Sequence, residues 1–160
     1  MRVLGIDPGF DRLGLAVLEG DPSKPQHVWS DCVSPAKGRA ETRLAAVYEA
    51  VSSAILQYKP DKVSLETLLF STNKKTAMAV AESRGAILAA AGAHRVTVSE
   101  YSPGQVKLAV TGYGASDKAA IARMIPHLIS LPQKKRVDDE LDAIAVAIAG
   151  LADRSTFSTH

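Results

Sequence analysis

Four acidic residues stand where carboxylate chemistry is available. Asp7 closes the apolar run Val3-Leu4-Gly5-Ile6 and precedes the turn pair Pro8-Gly9; Glu66 closes Val63-Ser64-Leu65 in the same way. Each sits at the carboxyl end of a short apolar segment, the end at which open α/β sheets collect ligands. Further on, Asp138-Asp139-Glu140-Leu141-Asp142 opens into Ala143-Ile144-Ala145-Val146-Ala147-Ile148. Residues three apart share a helix face, so Asp139 and Asp142 can point together. Oxygen-rich clusters suit Mg²⁺ or Mn²⁺. Two such ions about 3.5–4 Å apart can activate a water and steady the leaving oxygen in phosphodiester hydrolysis. Each acid also has a plain alternative: a turn-forming Asp, a solvated strand end, or acids favoured by a helix dipole. Asp142 fits the last of these least, because it lies a turn inside, beside an apolar face.

The elements that must position these acids follow from periodicity. Residues 2–7, 14–19 and 27–33 read as strands, with a loop at 20–25 and a tight turn after Asp7. Leu44, Val47, Tyr48, Val51, Ala54, Ile55 and Tyr58 recur at three and four, so 40–58 is an amphipathic helix. Residues 62–66 form a brief strand. A helix from 73 or 74 to 91, stopped by Gly92, follows, and then a fifth strand at 95–99. Short helices are expected at 103–110 and from a Ser116 cap toward Pro126, and a last one at 138–151. Three strands followed by alternating helices and strands predict a mixed α/β sheet covered on both faces. Residues 1–152 read as one domain, and 153–160 as a small polar tail.

Composition narrows the class. The 160 residues suffice for one well-buried domain, with 46% hydrophobic and 22% charged residues. A net charge of +2 is too small to imply a polyanionic partner by itself, so a nucleic-acid role needs local basic patches. Cys32 is the single cysteine, which excludes an intrachain disulfide and a Cys-rich zinc site and suits a reducing cytoplasm. The early Asp and Gly break any signal-peptide core, and no apolar run approaches the ~20 residues of a membrane span. A soluble, cytoplasmic protein is the expectation.

Gly5-Ile6-Asp7-Pro8-Gly9, Ser64-Leu65-Glu66, Gln105-Val106-Lys107 and Asp139-x-x-Asp142-Ala143-x-Ala145-x-Ala147 together resemble the RuvC family of Holliday-junction resolvases, over about residues 2–150. The first motif is shared by many ribonuclease H-like proteins. The stretch from Tyr101-Ser102-Pro103-Gly104 through Gly112-Tyr113-Gly114-Ala115-Ser116-Asp117-Lys118 is more specific. The resemblance implies a ribonuclease H-like five-stranded mixed sheet with helices on both faces. It also implies a homodimer that makes paired Mg²⁺-dependent nicks across a four-way DNA junction, with two ions per active site and Mn²⁺ as a substitute. Asp7, Glu66, Asp139 and Asp142 would be the catalytic metal ligands, and Asp138 could stand in for Asp139. Lys107 and Lys118 would lie near the scissile phosphates. A branch-migration motor would be a partner.

The sequence departs from the family at one point. An aromatic residue often stands three positions after the glutamate and packs on bases at the junction centre; here that position is Leu69, and the aromatic is Phe70. Either Phe70 assumes the role or base contact differs. The segment from Phe70 to Lys74 and Lys75 reads as a DNA-facing loop, an apolar wedge beside two cations. The next helix carries Ala77, Ala79, Ala81, Gly85, Ala86, Ala89 and Ala90, small enough to pack on the sheet or on a second subunit. Three other functions share parts of the pattern. Short nucleases that process ribosomal RNA precursors open similarly but lack the Gln105-Val106-Lys107 to Lys118 segment. Actin-type and sugar-kinase phosphate-binding domains need two such domains, and a non-catalytic junction binder would be expected to lack an acid.

Overall fold

The computed structural model describes residues 1–9, 11–67 and 74–153, with Lys74 and Lys75 described in backbone alone. The elements run β1 (Arg2–Asp7), β2 (Leu13–Asp21), β3 (Lys24–Val33), α1 (Ala40–Tyr58), β4 (Lys62–Glu66), α2 (Lys74–Ala93), β5 (Thr97–Tyr101), α3 (Pro103–Thr111), α4 (Lys118–Leu128) and α5 (Asp138–Ala152). The five strands form one sheet in the order β3-β2-β1-β4-β5. β1, β2 and β3 are antiparallel neighbours, whereas β4 runs parallel to β1 and β5 parallel to β4. This is the ribonuclease H-like mixed sheet expected from the sequence. No helix among the described residues is long and apolar enough to cross a membrane.

Strand alternation divides the side chains between two cores. Leu4, Ile6, Leu13, Leu15 and Val17 pack with Val63 and Leu65 against α1 and α2. Val3, Ala16 and Leu18 face the other way, into a core shared with α3, α4 and α5. The same alternation turns Gly5, Asp7, Gly14, Ser64 and Glu66 toward the α5 side.

α5 is buried along nearly its whole length after Leu141, and small residues let it lie close on the sheet. A Cβ on Gly5 would run into the Ala143 carbonyl and the Ala147 amide; one on Gly14 would run into the Asp139 carbonyl. The helix therefore has its N-terminal turn seated over β1 and β2, with no room for a larger side chain beneath it.

Some boundaries differ from those expected. β2 and β3 extend to Asp21 and back to Lys24, leaving only Pro22 and Ser23 between them where a longer loop was expected. β5 starts at Thr97 rather than 95, because Arg95 adopts left-handed backbone (φ 57) and its amide donates to the Gly92 carbonyl. Arg95, not Gly92, thus supplies the turn that ends α2. Asp117, not Ser116, caps α4, its carboxylate accepting from the Ala120 amide at 2.7 Å. Ser116 Oγ instead donates to the Tyr113 carbonyl at 2.7 Å, and α4 continues through Pro126 to Leu128.

Candidate active site

Parallel pairing of β1 with β4 matches Ile6 to Leu65, so Asp7 and Glu66 leave neighbouring strand ends side by side. α5 delivers Asp139 and Asp142 over the same end. Its N-cap is Val137, with no side-chain cap, so capping is not the use these acids are put to. Two short helices bring cations. α3 is set by a reciprocal box between Ser102 and Gln105, Pro103 in its first turn, and left-handed Gly112 at its end. That helix carries Lys107, whose charge acts on Glu66. α4 begins at Lys118, immediately after its Asp117 cap, and Lys118 Nζ lies 2.7 Å from Asp142 Oδ2.

The electrostatics show how tightly the acids share one region. Burial pushes the Asp7 carboxyl up from 3.8 to about 7, and Asp142, Glu66 and Asp139 add to the rise while Lys118 opposes it. Glu66 is raised by burial and then by Asp142. Asp142 is also raised, because burial, Asp139 and Asp138 together outweigh the Lys118 ammonium lying on it. Lys118 is raised in turn, chiefly by its hydrogen bond to Asp142. Asp138 is exposed and acts on Lys118 and Asp142 rather than on Asp7. Of the two neighbours, Asp139 is the one that belongs with Asp7. Beside these groups a cleft of about 240 Å³ opens between Glu66, Lys107, Lys118 and Asp142, floored by Pro103, Val106, Ile121, Ala145 and Val146.

Four carboxylates gathered at one end of the sheet, three of them (Asp7, Glu66 and Asp142) raised by burial and by neighbouring acids, are a donor set that a hard divalent cation would satisfy. Among the described residues, no three His, Cys, Asp or Glu side chains are already drawn together as a closed metal-binding group. Lys118 holds Asp142, and Arg12 Nε lies 3.2 Å from Asp139 Oδ2, so two of the four acids are turned toward the chain's own cations.

Sequence reasoning did not find Arg12, nor a second group behind α5. Glu140 is buried and accepts from Ser30 Oγ at 2.6 Å; Lys134 Nζ lies 2.9 Å and Arg136 Nε 3.2 Å from the same carboxylate oxygen. Lys134 also donates to the Ser30 carbonyl, and His27 Nε2 lies 2.7 Å from Ser30 Oγ. Burial alone would raise Glu140, but Ser30, Lys134 and Arg136 hold it below its usual value. This cluster ties the loop before α5 to β3. The basic run Lys134-Lys135-Arg136, separated from Asp138-Asp139-Glu140 only by Val137, was the available signal.

Leu69, Phe70 and the loop to Asn73 lie outside the described residues, as do the side chains of Lys74 and Lys75 and the tail from 154 on.

A family model described as crossover junction endodeoxyribonuclease RuvC matches residues 3–150. The curated protein of that name from Syntrophomonas wolfei is 40% identical over 152 residues, covering 94% of this chain and 88% of its own. Its counterpart from Gloeobacter violaceus is 41% identical over 152 residues, 94% of this chain and 87% of that one. Among solved structures, Thermus thermophilus RuvC in complex with a Holliday junction substrate superposes with a TM-score of 0.87 at 30% identity, over 93% of this chain and 92% of that one. The yeast mitochondrial Holliday junction resolvase shares the fold at 12% identity, with a TM-score of 0.70 over 93% of this chain and 78% of that one.

Proposed function

Because the chain belongs to the crossover junction endodeoxyribonuclease family RuvC, we propose that it resolves four-way DNA junctions by paired, metal-dependent nicks. The observation that carries this reading is the convergence of Asp7, Glu66, Asp139 and Asp142 from two adjacent strand ends and one helix, with Lys107 and Lys118 beside them. The four carboxylates would hold divalent cations, Mg²⁺ with Mn²⁺ as a substitute, two per site. Bound there, such ions supply the positive charge that makes water a nucleophile and steadies the departing oxygen.

The chain's own groups divide the remaining work. Lys107 and Lys118 grip the phosphates on either side of the bond to be cut, and they offset the charge that builds on the phosphorus oxygens. Lys118 must leave Asp142 to do so, and at a side-chain exposure of 63% it can swing outward. The apolar floor of the cleft receives the sugar face of the flanking nucleotide and limits water there. Phe70 is the base-contacting wedge in this reading, and Lys74 and Lys75 hold backbone beside it.

A junction has two strands to cut, which calls for two equivalent sites and a homodimer. α2 offers a surface for it. Met78 and Leu88 are exposed, and nothing lies within 4 Å of a Cβ built on Gly85 or Gly92. With Ala81 these residues recur at three and four along one stripe. A branch-migration motor would hold the junction beside the dimer, in the cytoplasm.

The test is incubation with an end-labelled four-way junction and Mg²⁺. Symmetric nicks in opposing strands are expected, with Asp7→Asn binding but not cutting. Cleavage of precursor ribosomal RNA instead, or binding without cleavage by the intact chain, would overturn the reading.

A further inference from the structure

We propose that Arg12 is a phosphate ligand for the DNA strand, kept in reserve by Asp139 until a divalent cation takes that carboxylate over. The inference rests on the reading of the acids as a metal site and adds a second cationic wall to it. Arg12 lies on the β1–β2 turn, and β2 flanks β1 on the side away from β4 and β5. Lys107 and Lys118 reach the acids from the helices that follow β5. The acids therefore have a lysine wall on one side and a guanidinium on the other.

The pairing itself points to exchange rather than to a fixed brace. Arg12 Nε is 3.2 Å from Asp139 Oδ2, and the Arg12 side chain is 51% exposed. Asp139 is the more buried partner at 20% exposure, but a pair whose cation is half exposed contributes little and is readily given up. A dication in contact with Asp139 removes the charge that holds the guanidinium, leaving it beside a site through which a polyanion must pass. Its planar fork then matches a phosphate better than an ammonium would. The backbone that carries it is held close: a Cβ on Gly9 would strike the Arg12 carbonyl, and the Gly9 amide donates to the Asp7 carbonyl at 3.0 Å. Linkage makes the effect reciprocal, so DNA that captures Arg12 also frees Asp139 for metal.

Arg12→Gln and Arg12→Lys separate this role from a structural one. Calorimetric titration of the DNA-free protein with Mg²⁺ should show Arg12→Gln binding about two- to fivefold more tightly than wild type, since Asp139 has lost its competitor. Binding of a four-way junction in Ca²⁺, measured across a salt series, should show Arg12→Gln with a slope shallower by about 1, one phosphate contact fewer. In chelator the two slopes should coincide, and Arg12→Lys should restore the Ca²⁺ slope. Equal or weaker Mg²⁺ binding by Arg12→Gln, or an unchanged Ca²⁺ slope, overturns the assignment. Failure of the resolvase reading would look different: the wild type itself would bind junction no better than duplex.

Discussion

Replacing Asp7 by Asn should make the metal-free protein more stable, not less. In the folded chain the Asp7 carboxyl titrates at about 7 against an ordinary 3.8. The folded state therefore holds a proton that the unfolded chain has already released. Between those two values stability falls as pH rises, and above about 7 the loss is complete. At about 1.4 kcal/mol per tenfold change in proton affinity, ionising Asp7 in place costs roughly 4 kcal/mol. Glu66 and Asp142 are raised as well and share the retained protons, so about half of that is expected to be recovered by an uncharged amide. For a chain of this size, about 2 kcal/mol corresponds to a melting temperature higher by about 4–8 °C. The assay is a thermal melt of both proteins in chelator from pH 4 to pH 8. The gap should be near zero at pH 4, where wild-type Asp7 is neutral, and full at pH 8. Excess Mg²⁺ at pH 8 should then narrow or reverse it, because only the wild type gains by binding. Equal melting temperatures at pH 8 in chelator would refute the crowded-carboxylate account of this site.

Glu140→Ala should lower the melting temperature by about 6–20 °C, since removing one member of a buried ion cluster costs about 3–5 kcal/mol; Glu140→Gln, which keeps the Ser30 contact, should lose less in the same melt. Mg²⁺ or Mn²⁺ should support cutting of a labelled junction, whereas Ca²⁺, larger and looser in coordination, should support binding with little cleavage; full activity in excess chelator contradicts the mechanism. Phe70→Ala should impair cleavage of intact junctions more than of junctions with unpaired central bases, because a stacked aromatic returns about 1–3 kcal/mol of the opening cost. A larger junction-specific loss with Leu69→Ala would assign the wedge to Leu69. Light scattering should show a dimer, in solution or on DNA, and a strict monomer on the junction contradicts the two-site reading.

Much of the frame was legible because burial and period coincide. Asp7 and Glu66 end apolar runs, and an acid there is conspicuous against Ile6 and Leu65. α5 was legible from its unbroken apolar stretch after Asp142. The misplaced boundaries came from conformations with no compositional mark. Arg95 is an ordinary residue type for a strand edge, yet it takes the left-handed turn that Gly92 was expected to supply. The missed members of the site are long-range contacts. Ser30 meets Glu140 across 110 residues, and neither residue type at its position announces the other. Arg12 is hidden for the same reason, since its partner Asp139 comes from the far end of the chain. Glycine roles were half legible: Gly5 reads as part of a motif, but that Gly14 admits the Asp139 backbone is a fact of packing alone.

The close seat of α5 explains why the site carries cations of its own. Four acids crowded together, three of them with raised proton affinity, could relieve the repulsion by moving apart, if the helix could lift. It has no such freedom. Gly5, Gly14 and Gly150 place its backbone against β1, β2 and Ser64, and Glu140 anchors its first turn to Ser30 on β3, on the same face of the sheet. Lifting the helix would expose one of the two cores along its length. With geometry closed to it, the repulsion can be relieved only by bringing in positive charge: a proton on Asp7, the ammonium of Lys118 on Asp142, the guanidinium of Arg12 on Asp139, or a divalent cation among all four. The first three stabilise the fold without metal, and each must yield to the fourth. Metal affinity in this chain should therefore rise with pH through about 7, as Asp7 loses its proton. Removing Arg12 should raise it independently of pH, two effects that one set of calorimetric titrations at pH 6 and pH 8 can separate.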